Sequence, residues 1–198
     1  MSKMLLRLIV LFILVLPTTA FAHTDVGDAH GFMHGFTHPL SGVDHILVMV
    51  TVGLFAARLG GRALWLVPAS FVGMMVLAGA LATSGTSLPF VEVGIATSVI
   101  ALGLIVAFEA KPPVAAAMAL VAFFAIFHGY AHGAELPEDA SGAAYGAGFV
   151  LATALLHAIG IGIGLALGRA EVPGGERILQ LGGCAMSAAG VAIFVGII

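Results

Sequence analysis

Six apolar segments, each close to the length of a membrane-spanning helix, follow one another along this chain. A helix needs about 20 apolar residues to cross roughly 30 Å of hydrocarbon, at ~1.5 Å per residue. We therefore expect an all-α fold, a polytopic membrane protein in which residues 38–198 form a six-transmembrane-helix bundle. The segments cover residues 39–57, 63–83, 89–108, 113–132, 143–168 and 178–198.

The composition excludes an ordinary soluble domain. Hydrophobic residues make up 61% of the chain and charged residues only 9%, whereas soluble domains carry about 25% charged residues. The 7 basic residues are too few for a nucleic-acid-binding surface, so the expected partners are the lipid bilayer and no nucleic acid. Because Cys184 is the only cysteine, an intrachain disulfide and a thiolate metal cluster are both excluded.

Residues 1–22 have the pattern of a cleaved signal peptide. Lys3 and Arg7 precede an apolar stretch at 8–16, and Ala20-Phe21-Ala22 follows with the A-x-A pattern of a cleavage site. The apolar stretch is too short for a typical membrane span, although an uncleaved signal would add one helix. We expect the mature chain to begin at His23.

The basic residues predict how the bundle is oriented. Export of residue 23 places the mature N-terminus in the periplasm, so the loops after the first, third and fifth segments should be cytoplasmic. These loops hold every basic residue outside the signal peptide, as the positive-inside rule requires. We expect a multi-pass protein of the bacterial inner membrane with both mature termini periplasmic. The basic residues concerned are Arg58, Arg62, Lys111, Arg169 and Arg177.

The first chemical motif is His-Pro-Leu-Ser-Gly-Val-Asp-His, at the mouth of the first segment. Pro39 suits the first turn of a helix, which would make His38 the N-cap. His38 and His45 should then share one helix face, about 10 Å apart. Asp44 flanks that face, and a carboxylate inside a membrane costs about 2.5–3.5 kcal/mol and commonly marks an ion path. The alternative is a polar helix mouth at the lipid headgroups.

Residues 23–37 form a periplasmic segment rich in histidine. His30, His34 and His38 recur at every fourth residue and would lie on one side of a helix. We expect this segment to attract metal ions; the alternative is an exported linker that happens to contain histidines. If cleavage leaves His23 first, its α-amine and ring nitrogen could chelate a metal ion together.

The second motif is Phe-His-Gly-Tyr-Ala-His-Gly-Ala-Glu at 127–135, at the end of the fourth segment. Spacings of four and seven place His128, His132 and Glu135 on one helix face. Because the first span starts outside and the fourth ends outside, the two motifs should meet at one membrane depth.

Three further residues are weaker candidates. His157 lies on a stripe of small residues that would pack closely on another helix, so it should face the bundle interior as an inner ion site or proton relay; the alternative is a single interhelical hydrogen bond. Glu92 either joins the outer site or lies at the interface with water. Met49 offers either a thioether ligand or simple packing. The stripe consists of Gly160, Gly164 and Gly168.

Neutral imidazoles with carboxylates suit Ni²⁺, Co²⁺, Zn²⁺ or Cu²⁺, and this set of side chains does not select one of them. The sequence contains no P-loop pattern, so we expect a permease driven by a gradient rather than by its own ATP hydrolysis. Two alternatives are a membrane-embedded zinc hydrolase, for which no HExxH sequence is present, and a metal sensor or donor.

The two motifs together resemble the HupE/UreJ family of hydrogenase and urease accessory proteins, which are nickel permeases. The resemblance extends over the mature chain. It implies a permease, not an enzyme, that carries Ni²⁺ inward for maturation of nickel enzymes, with Co²⁺ in some branches and no organic cofactor. The residues it implies to be critical for transport are His38, Asp44, His45, His128, His132 and Glu135.

Overall fold

The chain is helical throughout the part that the structure describes. The computed structural model describes residues 31–136, 142–168 and 172–197, and within these ranges it contains no strand. The expected signal peptide, His23 and His30 lie outside the described residues, so what was expected of them stays a prediction. The helices are α1 (Gly31–Ser41), α2 (Val43–Leu59), α3 (Ala63–Thr83), α4 (Val91–Ala107), α5 (Val114–Ala134), α6 (Gly142–Leu167) and α7 (Gly175–Phe194).

Each of the six apolar segments corresponds to one long helix, and the ends agree within four residues. The second segment and α3 coincide at residues 63–83. Glycine accounts for the end of α2: Gly60 and Gly61 have φ angles of 68° and 52°, which side chains disfavour. Helices α3, α5, α6 and α7 are long and apolar enough to cross a membrane, and α1 with α2 could form a fifth, bent span. Helix α4 has 17 residues and is shorter, at about 26 Å.

The start of the first span differs from the prediction. Residues 31–41 already form a helix, and Pro39 lies inside it rather than in a first turn. The chain then bends by 83° between α1 and α2. Gly42 sits in the bend with extended backbone (φ −92°, ψ 122°) and is the N-cap of α2, so His38 is not the cap. Proline cannot donate the hydrogen bond to the carbonyl group four residues earlier, which weakens the helix there, and the extended Gly42 separates α1 from α2.

Helix α2 lies at the centre of the bundle and contacts each of the other six described helices. Around it, α3 packs chiefly on α5, α4 packs on α7, and α6 packs on both α1 and α2. Large apolar side chains cover the outside of the bundle, as expected for a surface that faces lipid. Examples are Trp65, Leu77, Phe123, Leu155 and Leu181.

Glycines let these helices approach closely. A Cβ atom at Gly129 would overlap the Met75 carbonyl group of α3, and one at Gly133 would overlap the Gly79 carbonyl group. Each of these glycines directly follows a histidine, so the glycine takes the contact with α3 while the histidine occupies the next face of α5. The predicted close approach at Gly160 is also present, against the carbonyl group of Val50 in α2.

An ion-pair cluster closes the opposite end of the bundle from the two motifs. Arg58, at the end of α2, pairs with Glu109 just after α4, and its Nη1 lies 2.9 Å from Glu176 Oε2 in the first turn of α7. Gln180 Nε2 donates a hydrogen bond of 2.6 Å to Glu109 Oε1. These contacts tie three helices together where the sequence predicts the cytoplasmic side.

Candidate metal site

The six side chains singled out by the two motifs lie together at one end of the bundle. Three separate helices supply them, because the bend at Gly42 places the two histidines of the first motif on different helices. The prediction that both histidines share one helix face is therefore wrong. Helix α1 carries His38, α2 carries Asp44 and His45, and α5 carries His128 and His132 with Glu135 as its C-cap.

The outer part of this cluster is a three-residue group with metal-binding geometry. His38 Nε2 lies 3.2 Å from Glu135 Oε2. One ligand atom from each of His38, His132 and Glu135 lies within 4.8 Å of the others. The side chain of Glu135 is 59% exposed and that of His38 20% exposed, so this group forms the mouth of the site.

The inner part continues from His132 towards the centre of the bundle. The His132 ring centroid lies 4.8 Å from that of His38 and 4.4 Å from that of His45. The rings of His45 and His128 are 5.2 Å apart at their centroids. His132 is 4% exposed, the side chain of His45 is 12% exposed, and His128 is 0% exposed, so all three are more buried than His38 at the mouth. The imidazoles thus form a continuous column that leads from the mouth into the protein.

Ring nitrogens without hydrogen-bond partners are concentrated in this column. The buried ring nitrogens of the column without a partner among the described residues are His45 Nε2, His128 Nδ1 and both nitrogens of His132. A buried polar atom left unpaired costs about 1–3 kcal/mol, so several in one cluster need a functional reason. Lone pairs that can receive a cation provide such a reason, because neutral imidazole is a good ligand for divalent transition metals.

Two polar side chains, Asp44 and Ser98, lie within hydrogen-bond distance of histidine rings in the column. Asp44 Oδ1 lies 2.7 Å from His45 Nδ1. Ser98 Oγ, fully buried in α4, lies 3.0 Å from His128 Nε2. Ser98 lies outside both motifs and was not predicted; the available signal was a hydroxyl group within the apolar run of the third segment.

Helix α6 adds an aromatic wall that was also not predicted. The Phe149 ring lies 4.0 Å from that of His132, and the Tyr145 ring lies 5.7 Å from that of His34 and 6.2 Å from that of His38. A mainly apolar cavity of about 530 Å³ borders this wall. Aromatic side chains here exclude water from one flank of the column, which strengthens electrostatic interactions within it.

His157 is separate from the column. It is 2% exposed, and the Phe71 ring lies between, with centroid distances of 5.3 Å to His157 and 5.7 Å to His128. Neither ring nitrogen of His157 has a partner among the described residues, so the interhelical hydrogen bond considered as its alternative role is not formed. Its prediction as a residue of the bundle interior is confirmed.

The remaining candidates take different positions. His34 is exposed on α1, and its ring lies 5.9 Å from that of His38, as the four-residue spacing predicts. Glu92 is exposed in the first turn of α4. Met49 is fully buried in the apolar core, which agrees with a packing role. Cys184 is free and exposed.

A comparison with models of known protein families shows which family this chain belongs to. The model of the family described as "HupE / UreJ protein" matches residues 11–193, a range that contains both motifs. The chain belongs to the HupE/UreJ family. The family resemblance read from the two motifs is thereby confirmed.

A relative within this family covers nearly the same length. "Protein HupE" of Rhizobium leguminosarum bv. viciae is 46% identical over 184 residues, which cover 92% of this chain and 94% of the relative. No solved structure matches the chain. HupE/UreJ membership and the apolar helices agree with a multi-pass membrane protein.

Proposed function

We propose that this HupE/UreJ member is a permease that takes a divalent transition metal ion, Ni²⁺ in the first place, from the periplasm across the inner membrane. The ion would then serve the maturation of a nickel enzyme, hydrogenase or urease. The observation that supports this most strongly is the column of histidines whose buried ring nitrogens lack partners. Membership of an accessory family named for hydrogenase and urease genes supports the choice of metal.

The gradient of exposure supports a route for the ion. Glu135 and His38, at the exposed mouth, would replace the first water molecules of the hydrated ion. His132, His45 and His128, which are more buried than the mouth, would replace more of them. The carboxylates of Glu135 and Asp44 would offset the charge of the cation, because an unpaired ion is costly in low dielectric. His157 would receive the ion or a proton deeper in the bundle.

The experiment is metal uptake into proteoliposomes that contain the purified protein and an internal metal indicator. Uptake of Ni²⁺, Co²⁺, Zn²⁺ and Cu²⁺ is compared side by side. We expect saturable flux, with Ni²⁺ or Co²⁺ preferred. His45→Ala and His132→Ala should each abolish uptake at low metal concentration while the protein remains in the membrane.

His34→Ala is the matched control, because His34 is exposed on α1 and stands outside the buried column. It should raise the half-saturating concentration by a few-fold and leave the maximal rate unchanged. Tight binding by the wild-type protein without flux would favour a sensor or donor, and metal-dependent hydrolysis would favour an enzyme. Either result would overturn the permease proposal.

A further inference from the structure

Helix α4 provides no imidazole or carboxylate to the column, yet one of its side chains touches it. Ser98 is 0% exposed, and its hydroxyl oxygen lies 3.0 Å from His128 Nε2. The same oxygen lies 2.6 Å from the main-chain carbonyl oxygen of Ile95, one turn earlier in α4. The two contacts together determine which atom donates in each hydrogen bond.

A serine hydroxyl has one hydrogen to donate, and a carbonyl oxygen can only accept. The Ser98 hydrogen is therefore directed to Ile95 O. Towards His128 the hydroxyl can then only accept, so the hydrogen in that bond belongs to His128 Nε2. A neutral imidazole has one N–H group, which leaves the lone pair of His128 on Nδ1. That nitrogen is buried and has no hydrogen-bond partner in the described ranges.

His45 has the opposite arrangement. An ionised carboxylate only accepts, so Asp44 Oδ1 accepts the hydrogen of His45 Nδ1 at 2.7 Å. The lone pair of His45 is then on Nε2, which is also buried and unpartnered. The His45 and His128 rings face each other nearly perpendicularly, at 87° and 5.2 Å.

We infer that Ser98 is a positioning residue that holds His128 as the Nε2–H tautomer, so that His128 binds the transported metal through Nδ1 while His45 binds it through Nε2. The inference rests on the proposed function for the metal, although the tautomer is a property of the metal-free protein. Imidazole ligands commonly donate their other N–H to a partner, and loss of that partner lowers metal affinity about 10–100-fold.

Asp44 and Ser98, the hydrogen-bond partners of the two imidazoles, also differ in how strongly they accept a hydrogen bond. A carboxylate behind His45 makes that imidazole more basic than a hydroxyl makes His128. The deeper ligand of the pair is therefore the weaker one. This order favours release of the ion from His128 towards the interior over its retention at the column.

The direct test is ¹⁵N NMR of the metal-free protein in lipid bilayers, with ¹⁵N,¹³C-labelled histidine. Comparison with His128→Gln identifies the His128 signals, and the correlations of each ring nitrogen with its neighbouring carbons identify the protonated one. We expect Nε2–H in the wild type and in Ser98→Thr, and a mixture of tautomers in Ser98→Ala. Nδ1–H in the wild type, or a spectrum unchanged in Ser98→Ala, would overturn the inference.

The functional test uses Ni²⁺ affinity and uptake of the same variants. Ser98→Ala should bind Ni²⁺ about 10–100-fold more weakly. Ser98→Thr, which keeps a hydroxyl group, should recover most of the affinity. Thr97→Ala is the matched control, because Thr97 is the adjacent residue and is exposed on α4; its affinity should equal that of the wild type.

A purely structural role for Ser98 predicts a lower melting temperature without a change of tautomer or affinity. If Ser98→Ala does not fold, the tautomer in the wild type and Ser98→Thr still decides the question. If the wild type transports no metal, the proposed function is wrong. The NMR experiment still tests the tautomer of His128, because it uses the metal-free protein.

Discussion

The carboxylate of Asp44 accepts a hydrogen bond from the ring of the next residue, with 2.7 Å between Asp44 Oδ1 and His45 Nδ1. Adjacent residues of a helix normally point in different directions. Here both side chains lie at the start of α2, beside the bend at Gly42. A Cβ atom at Gly42 would stand 2.8 Å from both bonded atoms, so glycine leaves room for the pair.

The first prediction concerns the two contributions of Asp44, orientation and charge. Asp44→Asn keeps an oxygen that can accept from His45 Nδ1–H but removes the charge, whereas Asp44→Ala removes both. We expect Ni²⁺ affinity to fall about 10–100-fold in Asp44→Ala and by a smaller factor in Asp44→Asn, as measured by titration of protein in nanodiscs. Equal losses in the two variants would mean that charge alone matters.

The second prediction concerns pH. A protonated imidazole has no lone pair for a metal ion, and an unperturbed histidine has a pKa of about 6.5. The affinity for Ni²⁺ should therefore be highest near pH 8 and should decrease steadily as the pH drops through about 6. A site made of carboxylates alone would give constant affinity over this range, since their usual pKa is near 4.

The third prediction tests the close contact between α3 and α5. Gly129→Ala places a Cβ atom against the Met75 carbonyl group, so the helices must separate beside His128. Overpacking of this kind costs about 1–3 kcal/mol, and both the melting temperature in detergent and metal uptake should fall.

Gly162→Ala is the control for this contact. Gly162 lies within α6, and a Cβ atom there meets nothing within 4 Å. The same substitution should leave uptake unchanged and keep or slightly raise the melting temperature, because alanine is the better helix former. Equal melting temperatures for the two variants would contradict the close contact.

The fourth prediction concerns the ion pairs at the other end. Arg58→Gln leaves Glu109 and Glu176 without their guanidinium partner. These carboxylate side chains are 36% and 56% exposed. The free energy of unfolding should therefore decrease by about 1–3 kcal/mol, less than for a fully buried pair, and the melting temperature in detergent should fall.

Arg62→Gln is the matched control for Arg58→Gln, since it removes a positive charge from an exposed position four residues away, at the start of α3. It should leave the melting temperature unchanged. A similar decrease in both variants would indicate that positive charge at this end of the bundle, rather than the Arg58 ion pairs, stabilises the protein.

Much of the helix architecture was predictable because its causes are local. Apolar runs near 20 residues, ended by glycine or proline, predicted the long helices to within a few residues. The bend after Ser41 was not predicted, since Pro39 also suits a first turn and nothing local distinguishes the two positions. Contacts of α1 with α6 are what stabilise this short helix.

The candidate site was predictable in its members but not in its arrangement. Histidines and carboxylates are rare in an apolar sequence, so the motifs at 38–45 and 127–135 could be recognised as candidate metal ligands from the sequence. Ser98 was missed because a single hydroxyl within a helix commonly bonds to its own preceding turn. Its second contact, with His128, exists only where α4 and α5 pack together.

The sequence by itself determined the membrane class, the family and the side chains that gather at one end of the bundle, because these follow from composition and from spacing along the chain. The tertiary structure decided which nitrogen of His45 and which nitrogen of His128 is left for a metal ion. His45 depends on a bend of the backbone at Gly42, and His128 depends on a hydroxyl group 30 residues away on another helix. A ring's tautomer follows from the partner of its other nitrogen, and only packing brings that partner within reach.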